Sequence, residues 1–123
     1  MKGCEAMKIS TGLGDISIAQ EVFTTISGYT ATKCFGVRGM AARSVSDGLV
    51  HLLRPDSLAK GVKVRFSEDG AVNIELHIVT EHGVNIPVVC RSIIEEVRYN
   101  VEKLTQTRVG HVDVCIDSIS TEG

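Results

Sequence analysis

The chain has 123 residues and a net charge of −2, with 43% hydrophobic and 23% charged residues, enough for one core and too apolar for wholesale disorder. The slightly acidic balance argues against general attraction to nucleic acid or anionic lipid, and no apolar run approaches the roughly 20 residues of a membrane span. Aromatic residues make up only 4% and tryptophan is absent, so the core must be aliphatic.

The first residues, MKGCEAMKIS, lack the apolar centre of a signal peptide, and residues 1–6 read as a flexible N-terminus. Met7 to Thr11 suits a strand, Gly12-Leu13-Gly14 a turn, and Asp15 to Ile18 a second short strand. A helix is predicted from about Ala19 to Lys33. Ser17 stands three residues before Gln20, a capping-box spacing, and Ile18, Val22, Ile26 and Tyr29 step at helical intervals. Gly28 inside that helix weakens it by about 1 kcal/mol relative to alanine, which points to close backbone packing there. Gly36 stops the helix, and Phe35 to Ala42 returns to extended chain.

Between Arg43 and Lys60, the cluster Leu49, Val50, Leu52 and Leu53 before Pro55 predicts one or two short turns of helix. Val62, Val64 and Phe66 then alternate with Lys63 and Arg65. Glu68-Asp69-Gly70 carries the hairpin signal, and Val72, Ile74, Leu76 and Ile78 alternate with Asn73, Glu75 and His77. One face of this hairpin is thus apolar and the other wet. Asn85 is a good N-cap, with Pro87 in the first turn. The helix it opens buries a stripe of Ile86, Val89, Cys90, Ile93, Ile94, Val97, Val101 and Leu104, with Arg91, Glu95, Arg98 and Glu102 outside. The last strand sets Val112, Val114 and Ile116 against His111, Asp113, Cys115 and Asp117. Residues 120–123 read as a flexible C-terminus.

Two amphipathic helices and one half-wet sheet predict an α+β fold. Its form is a two-layer sandwich with a mixed or antiparallel sheet and both main helices on one face, forming a single domain over residues 7–119.

Candidate chemistry is sparse. Cys4, Cys34, Cys90 and Cys115 include no CxxC pair, so neither a disulfide framework nor structural zinc is expected. Cys34 and Cys90 read as small apolar residues on helix faces. Cys115, flanked by Asp113 and Asp117, is a poor nucleophile because neighbouring carboxylates disfavour a thiolate. Gly36-Val37-Arg38-Gly39 matches the GxxG loop of KH domains, which clamps nucleotide phosphates, but it follows a helix and enters an extended segment. No phosphate loop or dinucleotide fingerprint occurs. Arg65, Glu75 and His77 share the wet face of the hairpin. They form a candidate interaction surface, or the polar lining of a ligand or acid–base site if the face is concave. His51 and His82 read as surface or loop residues. No catalytic, cofactor-binding or metal-binding residue is assigned.

Several segments in order resemble the alkaline shock protein (envelope stress response) family of Gram-positive bacteria, in its YloU-like branch. These are Gly14-Asp15-Ile16-Ser17-Ile18, Val22 and Ile26, Gly36-Val37 with Gly39-Met40, Gly61-Val62-Lys63-Val64, Gly83-Val84-Asn85-Ile86-Pro87, Val97, and Val112-Asp113-Val114-Cys115-Ile116. The likeness runs from about Lys8 to Ile119. Departures fall at Gln106-Thr107, where the family usually has a glycine, at Thr30, where an alanine is common, and in the variable stretch from Arg43 to Lys60. The resemblance implies a cytoplasmic, non-enzymatic protein of envelope stress or homeostasis that acts through protein contacts. Implied partners are itself, a membrane-anchored relative that recruits it to the membrane, or a fatty-acid-kinase-type subunit encoded nearby. No cofactor, nucleic acid or direct membrane insertion is implied.

Overall fold

The computed structural model describes residues 6–43 and 48–121. The chain opens with a hairpin of β1 (Ala6–Thr11) and β2 (Gly14–Ala19), paired antiparallel as a small sheet of its own. Helix α1 (Gln20–Thr32), β3 (Val37–Arg43), β4 (Val50–Leu52) and a 3-10 segment (Pro55–Gly61) follow. Then come β5 (Val62–Phe66), β6 (Val72–Thr80), α2 (Ile86–Thr105) and β7 (Val109–Ile119). The result is an α+β fold with a mixed sheet.

β6 is the spine of the main sheet. β7 runs parallel along one side of it, because the 20-residue helix α2 supplies the crossover that a parallel neighbour requires. The other side of β6 is shared end to end. β5 pairs antiparallel with its first half, from Phe66 opposite Val72 to Val62 opposite Leu76. β3 pairs antiparallel with its last part, from Met40 opposite Ile78 to Val37 opposite Thr80, and β4 hangs on β3. His77 lies between the two partners, opposite neither.

The inward rows of β5 and β6 meet α1 and α2 in one core of Phe23, Met40, Val62, Val64, Ile74, Leu76, Ile78, Val89, Ile93, Val97 and Val101. Phe23 packs edge-on against Phe66 with ring centroids 5.4 Å apart. Asn85 caps α2 as expected: the Val88 amide donates to its Oδ1 at 3.2 Å. The glycine Gly28 is explained by the 3-10 segment, since a Cβ there would sit 3.3 Å from the Leu58 carbonyl oxygen.

The structure corrects several expectations. Ser17 does not cap α1. It lies inside β2 opposite Lys8, the N-cap is Ala19 without a side-chain bond, and the Gln20 side-chain Nε2 instead donates to the Val64 carbonyl at 3.1 Å. β2 runs straight into the helix and leaves no turn in which a hydroxyl can fold back. Val22 and Tyr29 are exposed, and α1 buries Phe23, Thr24, Ser27, Gly28, Thr30 and Ala31. Val50 to Leu52 form a strand, not a helix, with Leu52 opposite Ala41; helical turns begin only at Pro55, after an extended Arg54. Part of that stretch, residues 44–47, lies outside the described residues.

On α2 the stripe holds for Val89, Ile93, Val97 and Val101, whereas Leu104 is exposed and Thr105 takes the buried place. Arg98 and Glu102 are half-buried instead of facing water. Arg98 donates to the carbonyls of Val109 and Gly110, and Glu102 accepts from the Val109 amide, so the pair anchors the start of β7. Of the ends expected to be flexible, residues 1–5 and 122–123 lie outside the described residues. Ala6 already belongs to β1, and the Ser120 amide donates to the Thr80 carbonyl at 2.8 Å.

Candidate functional site on the outer sheet face

The face of the sheet turned away from the helices carries Lys63 and Arg65 from β5, Asn73, Glu75 and His77 from β6, and Asp113, Cys115 and Asp117 from β7. Register makes them neighbours. Lys63 is opposite Glu75, Glu75 opposite Asp113, and His77 opposite Cys115.

His77 is held from both sides. Its Nε2 lies 2.7 Å from Glu75 Oε2 and its Nδ1 lies 3.0 Å from Asp117 Oδ2. Carboxylates only accept, so both contacts are satisfied together when the ring carries both protons. The cluster is partly shielded from water, with 23% of the His77 side chain and 13% of the Asp117 side chain exposed. The His77 hydrogen bond holds the Glu75 carboxyl below the usual carboxylate range against desolvation, helped by the charges of His77, Lys63 and Arg65. Burial pushes the Cys115 thiol up, and Glu75, Asp117 and Asp113 push it further, which keeps it protonated and a weak nucleophile.

The break between β5 and β3 makes this face concave. A groove of about 450 Å³ opens there, lined by Ala41, Ala42, Lys60, Lys63, His77, Cys115 and Asp117. A second depression, lined by Lys63, Arg65, Asn73, Glu75 and Asp113, adjoins it. Of the three residues expected on the interaction surface, Glu75 and His77 are in direct contact, while Arg65 stands further along β5 opposite Asn73. Sequence reading missed that Cys115 and Asp117 join His77. The available signal was the long helix between two strands, which predicts that β6 and β7 lie side by side and parallel.

The other candidate groups stay apart from the cluster. His51 is on β4, His82 in the turn after β6, and His111 near the start of β7. Gly36 and Gly39 do not form an open phosphate clamp. Both are buried, and a Cβ would meet Val89 Cγ2 at 2.7 Å on Gly36 and Leu52 Cδ1 at 2.8 Å on Gly39. These glycines serve packing. Burial raises the pKa of the Cys34 and Cys90 thiols; Cys90 lies on α2 as expected, whereas Cys34 falls beyond the end of α1, which stops at Thr32, and not on a helix face.

With the elements in this order, residues 8–121 match the alkaline shock protein 23 family, described as having a cell envelope-related function. The chain belongs to the alkaline shock protein 23 family. It is 36% identical over 118 residues to the uncharacterized protein Spy1614 of Streptococcus pyogenes serotype M6, covering 95% of this chain and 97% of that one. It is 29% identical over 115 residues to the uncharacterized protein YloU of Bacillus subtilis, covering 93% and 95%. YqhY of the same organism, also uncharacterized, is 32% identical over 109 residues, covering 89% and 79%. None of these three names is that of an enzyme. Among solved structures, the copper form of the MamM CTD aligns over 85% of this chain and 90% of its own at 13% identity, with a TM-score of 0.49. That likeness is too loose to bear on function. No helix among the described residues is long and apolar enough to cross a membrane.

Proposed function

We propose that this member of the alkaline shock protein family is a non-enzymatic interaction protein of envelope homeostasis, acting in the cytoplasm through contacts with another protein. The observation that carries this reading is β7. It runs for eleven residues along the margin of the sheet with β6 on one side, and no described strand lies on the other. Every second residue of such a strand turns its backbone groups outward, which offers a partner strand ready-made hydrogen bonds. Half-buried Val114 and Ile116 and the exposed Ile119 give that strand apolar surface to cover. The polar face of Arg65, Glu75 and His77 adjoins it and would supply charge complementarity. The family's cell envelope-related description supports the setting, and the first partners to test are a second copy, a membrane-anchored relative and a fatty-acid-kinase-type subunit.

Tagged protein purified from lysate, alongside its mass in solution, tests the reading when paired with an edge variant. Ile119→Lys puts on the margin the residue that blunts natural sheet edges. The wild type should recover a partner or self-associate, and the folded variant should lose it. A strictly monomeric wild type that recovers no partner would overturn the proposal.

A further inference from the structure

The groove at the break in the sheet holds a donor set that partner binding does not require. A carboxylate oxygen of Glu75, a ring nitrogen of His77 and Sγ of Cys115 all lie within 4.8 Å of one another. We propose that these three side chains form a binding site for one Zn²⁺ ion, with Asp117 as the positioning residue for the imidazole.

Geometry comes first. A tetrahedral zinc with bonds of about 2.0–2.3 Å places its donors about 3.3–3.8 Å apart. Glu75 and His77 stand two residues apart on β6, and Cys115 is directly opposite His77 on β7, so all three project from the same face. β6 is paired with β7 through the site and with β5 as far as Leu76, so it cannot shift easily. Only side-chain rotations of Glu75 and Cys115 are needed to close the set.

The imidazole is already oriented as a metal ligand needs. Asp117 Oδ2 accepts from Nδ1–H at 3.0 Å, the carboxylate–histidine arrangement that fixes the tautomer and leaves Nε2 for a metal. Nε2 faces Glu75 Oε2 at 2.7 Å. A divalent ion would bridge the same two atoms, with a modest lengthening of the gap.

Donor chemistry selects the ion. One thiolate, one imidazole and one carboxylate suit a borderline cation such as Zn²⁺, whereas Mg²⁺ and Ca²⁺ call for oxygen cages. Binding releases the Cys115 proton to solvent, so the bound set carries a thiolate and a carboxylate against the ion's two positive charges. Lys60 and Lys63 line the same groove, and Asp113 and Asp117 offset them. Three protein donors leave a fourth position for water. The set escaped sequence inspection because Cys115 is 38 residues from His77 and only strand register brings them together.

Zinc titration of the full chain under reducing conditions tests the site, with Co²⁺ as a spectroscopic probe whose thiolate charge-transfer absorption reports a sulfur ligand. Wild type and a Cys4→Ser/Cys34→Ser/Cys90→Ser triple variant should each bind one equivalent and show the sulfur band. Cys115→Ser should lose the band, and Asp117→Asn should bind about 10–100-fold more weakly. A wild type without stoichiometric Zn²⁺ binding, or a Cys115→Ser protein that keeps the band, would overturn the proposal. The wild-type Co²⁺ spectrum decides even where a variant folds poorly, since a protein that takes up Co²⁺ with no sulfur band refutes it. This site is independent of the partner reading. Loss of edge contacts in Ile119→Lys leaves the titration unchanged.

Discussion

The two helices pack on the same sheet, yet they announce themselves in opposite ways. α2 buries Val89, Ile93, Val97 and Val101, four aliphatic residues at steps of four, and its start is capped by Asn85. α1 buries Phe23 together with Thr24, Ser27, Gly28, Thr30 and Ala31, and its start has no side-chain cap. The difference lies in what each helix touches. α2 packs along β7. α1 is wedged between α2 and the 3-10 segment, where little room remains for long aliphatic side chains. Thr30 there accepts a hydrogen bond from Asn100 of α2 at 3.1 Å, and Gly28 meets the backbone of Leu58. Hydrophobicity marks a buried face only where the neighbour leaves space for apolar bulk. In a tight seam, small size is the signal.

The largest test of this contrast is Ile93→Asp. Ile93 is fully buried, and an aspartate there would place an unpaired charge in an aliphatic layer. The expected loss is several kcal/mol, a large share of the roughly 5–15 kcal/mol that holds a small domain together. The variant should unfold or aggregate, while Glu95→Ala, on an exposed site of the same helix, should melt like wild type. Val22→Asp on α1 is the sharper comparison. An aliphatic stripe would make it as damaging as Ile93→Asp, but exposure of Val22 predicts a change within about 0.5 kcal/mol. Denaturant melts that ranked the two alike would break the contrast.

A smaller effect probes the seam directly. Gly28→Val adds two methyl groups beyond a Cβ that already lies 3.3 Å from the Leu58 carbonyl, and backbone cannot yield as a side-chain tip can. A loss of about 1–3 kcal/mol in denaturant unfolding is expected, despite valine's better helix propensity. A stabilised variant would mean that the glycine is not there for close approach.

The caps differ in the same sense. Asn85→Ala removes the acceptor for the Val88 amide and should cost about 1 kcal/mol. Ser17→Ala should change stability far less, since Ser17 lies exposed in β2 and caps nothing. Equal losses in the two variants would restore the capping box that the sequence suggests.

These contrasts show why some of the architecture was legible and some was not. β5, the hairpin turn, β6 and α2 carry clean periodicities because each has one dry and one wet side. Val50 to Leu52 defeated the same reasoning, for a three-residue strand has too few positions to show alternation. Arg98 and Glu102 looked like an exposed pair at helical spacing. Their role in binding the first carbonyls and amide of β7 depends on a tertiary contact that no local pattern encodes. The candidate site divides likewise. Glu75 and His77 could be paired from alternation alone, whereas Cys115 and Asp117 needed the parallel register.

Acid stability offers a test away from both helices. Asp69, in the turn between β5 and β6, is held at a pKa of about 2 by hydrogen bonds from Ser67, Arg108 and the Ala71 amide, with Arg108 Nη2 3.0 Å away. A carboxyl depressed in the folded state stabilises above its unfolded value near 3.8 and loses that contribution as pH falls toward about 2. Stability from this group should be flat from neutral pH down to about 5 and fall below about 4. Asp69→Asn should flatten that part of the acid limb, so an unchanged acid limb in chemical denaturation would show that the turn carboxylate does not contribute.

The smallest effect is expected where α2 ends. Gln106 is the one residue other than glycine with a positive φ among those described, at φ 60° and ψ 24°, and its amide donates to the Glu102 carbonyl at 2.9 Å. This left-handed stop is the conformation in which glycine is at ease and a Cβ crowds the following carbonyl, at about 1–2 kcal/mol. Gln106→Gly keeps the backbone bond and relieves that crowding, but it also loosens the unfolded chain and removes a side-chain bond to the Lys103 carbonyl. The two sides nearly cancel and leave a net gain of about 0.5 kcal/mol, read as a slightly higher denaturant midpoint. Gln106→Val tests the same geometry from the other direction. A β-branched residue is a poor occupant of this region, so it should lower the midpoint, and a valine variant as stable as the glycine one would mean that α2 ends by some device other than its left-handed residue.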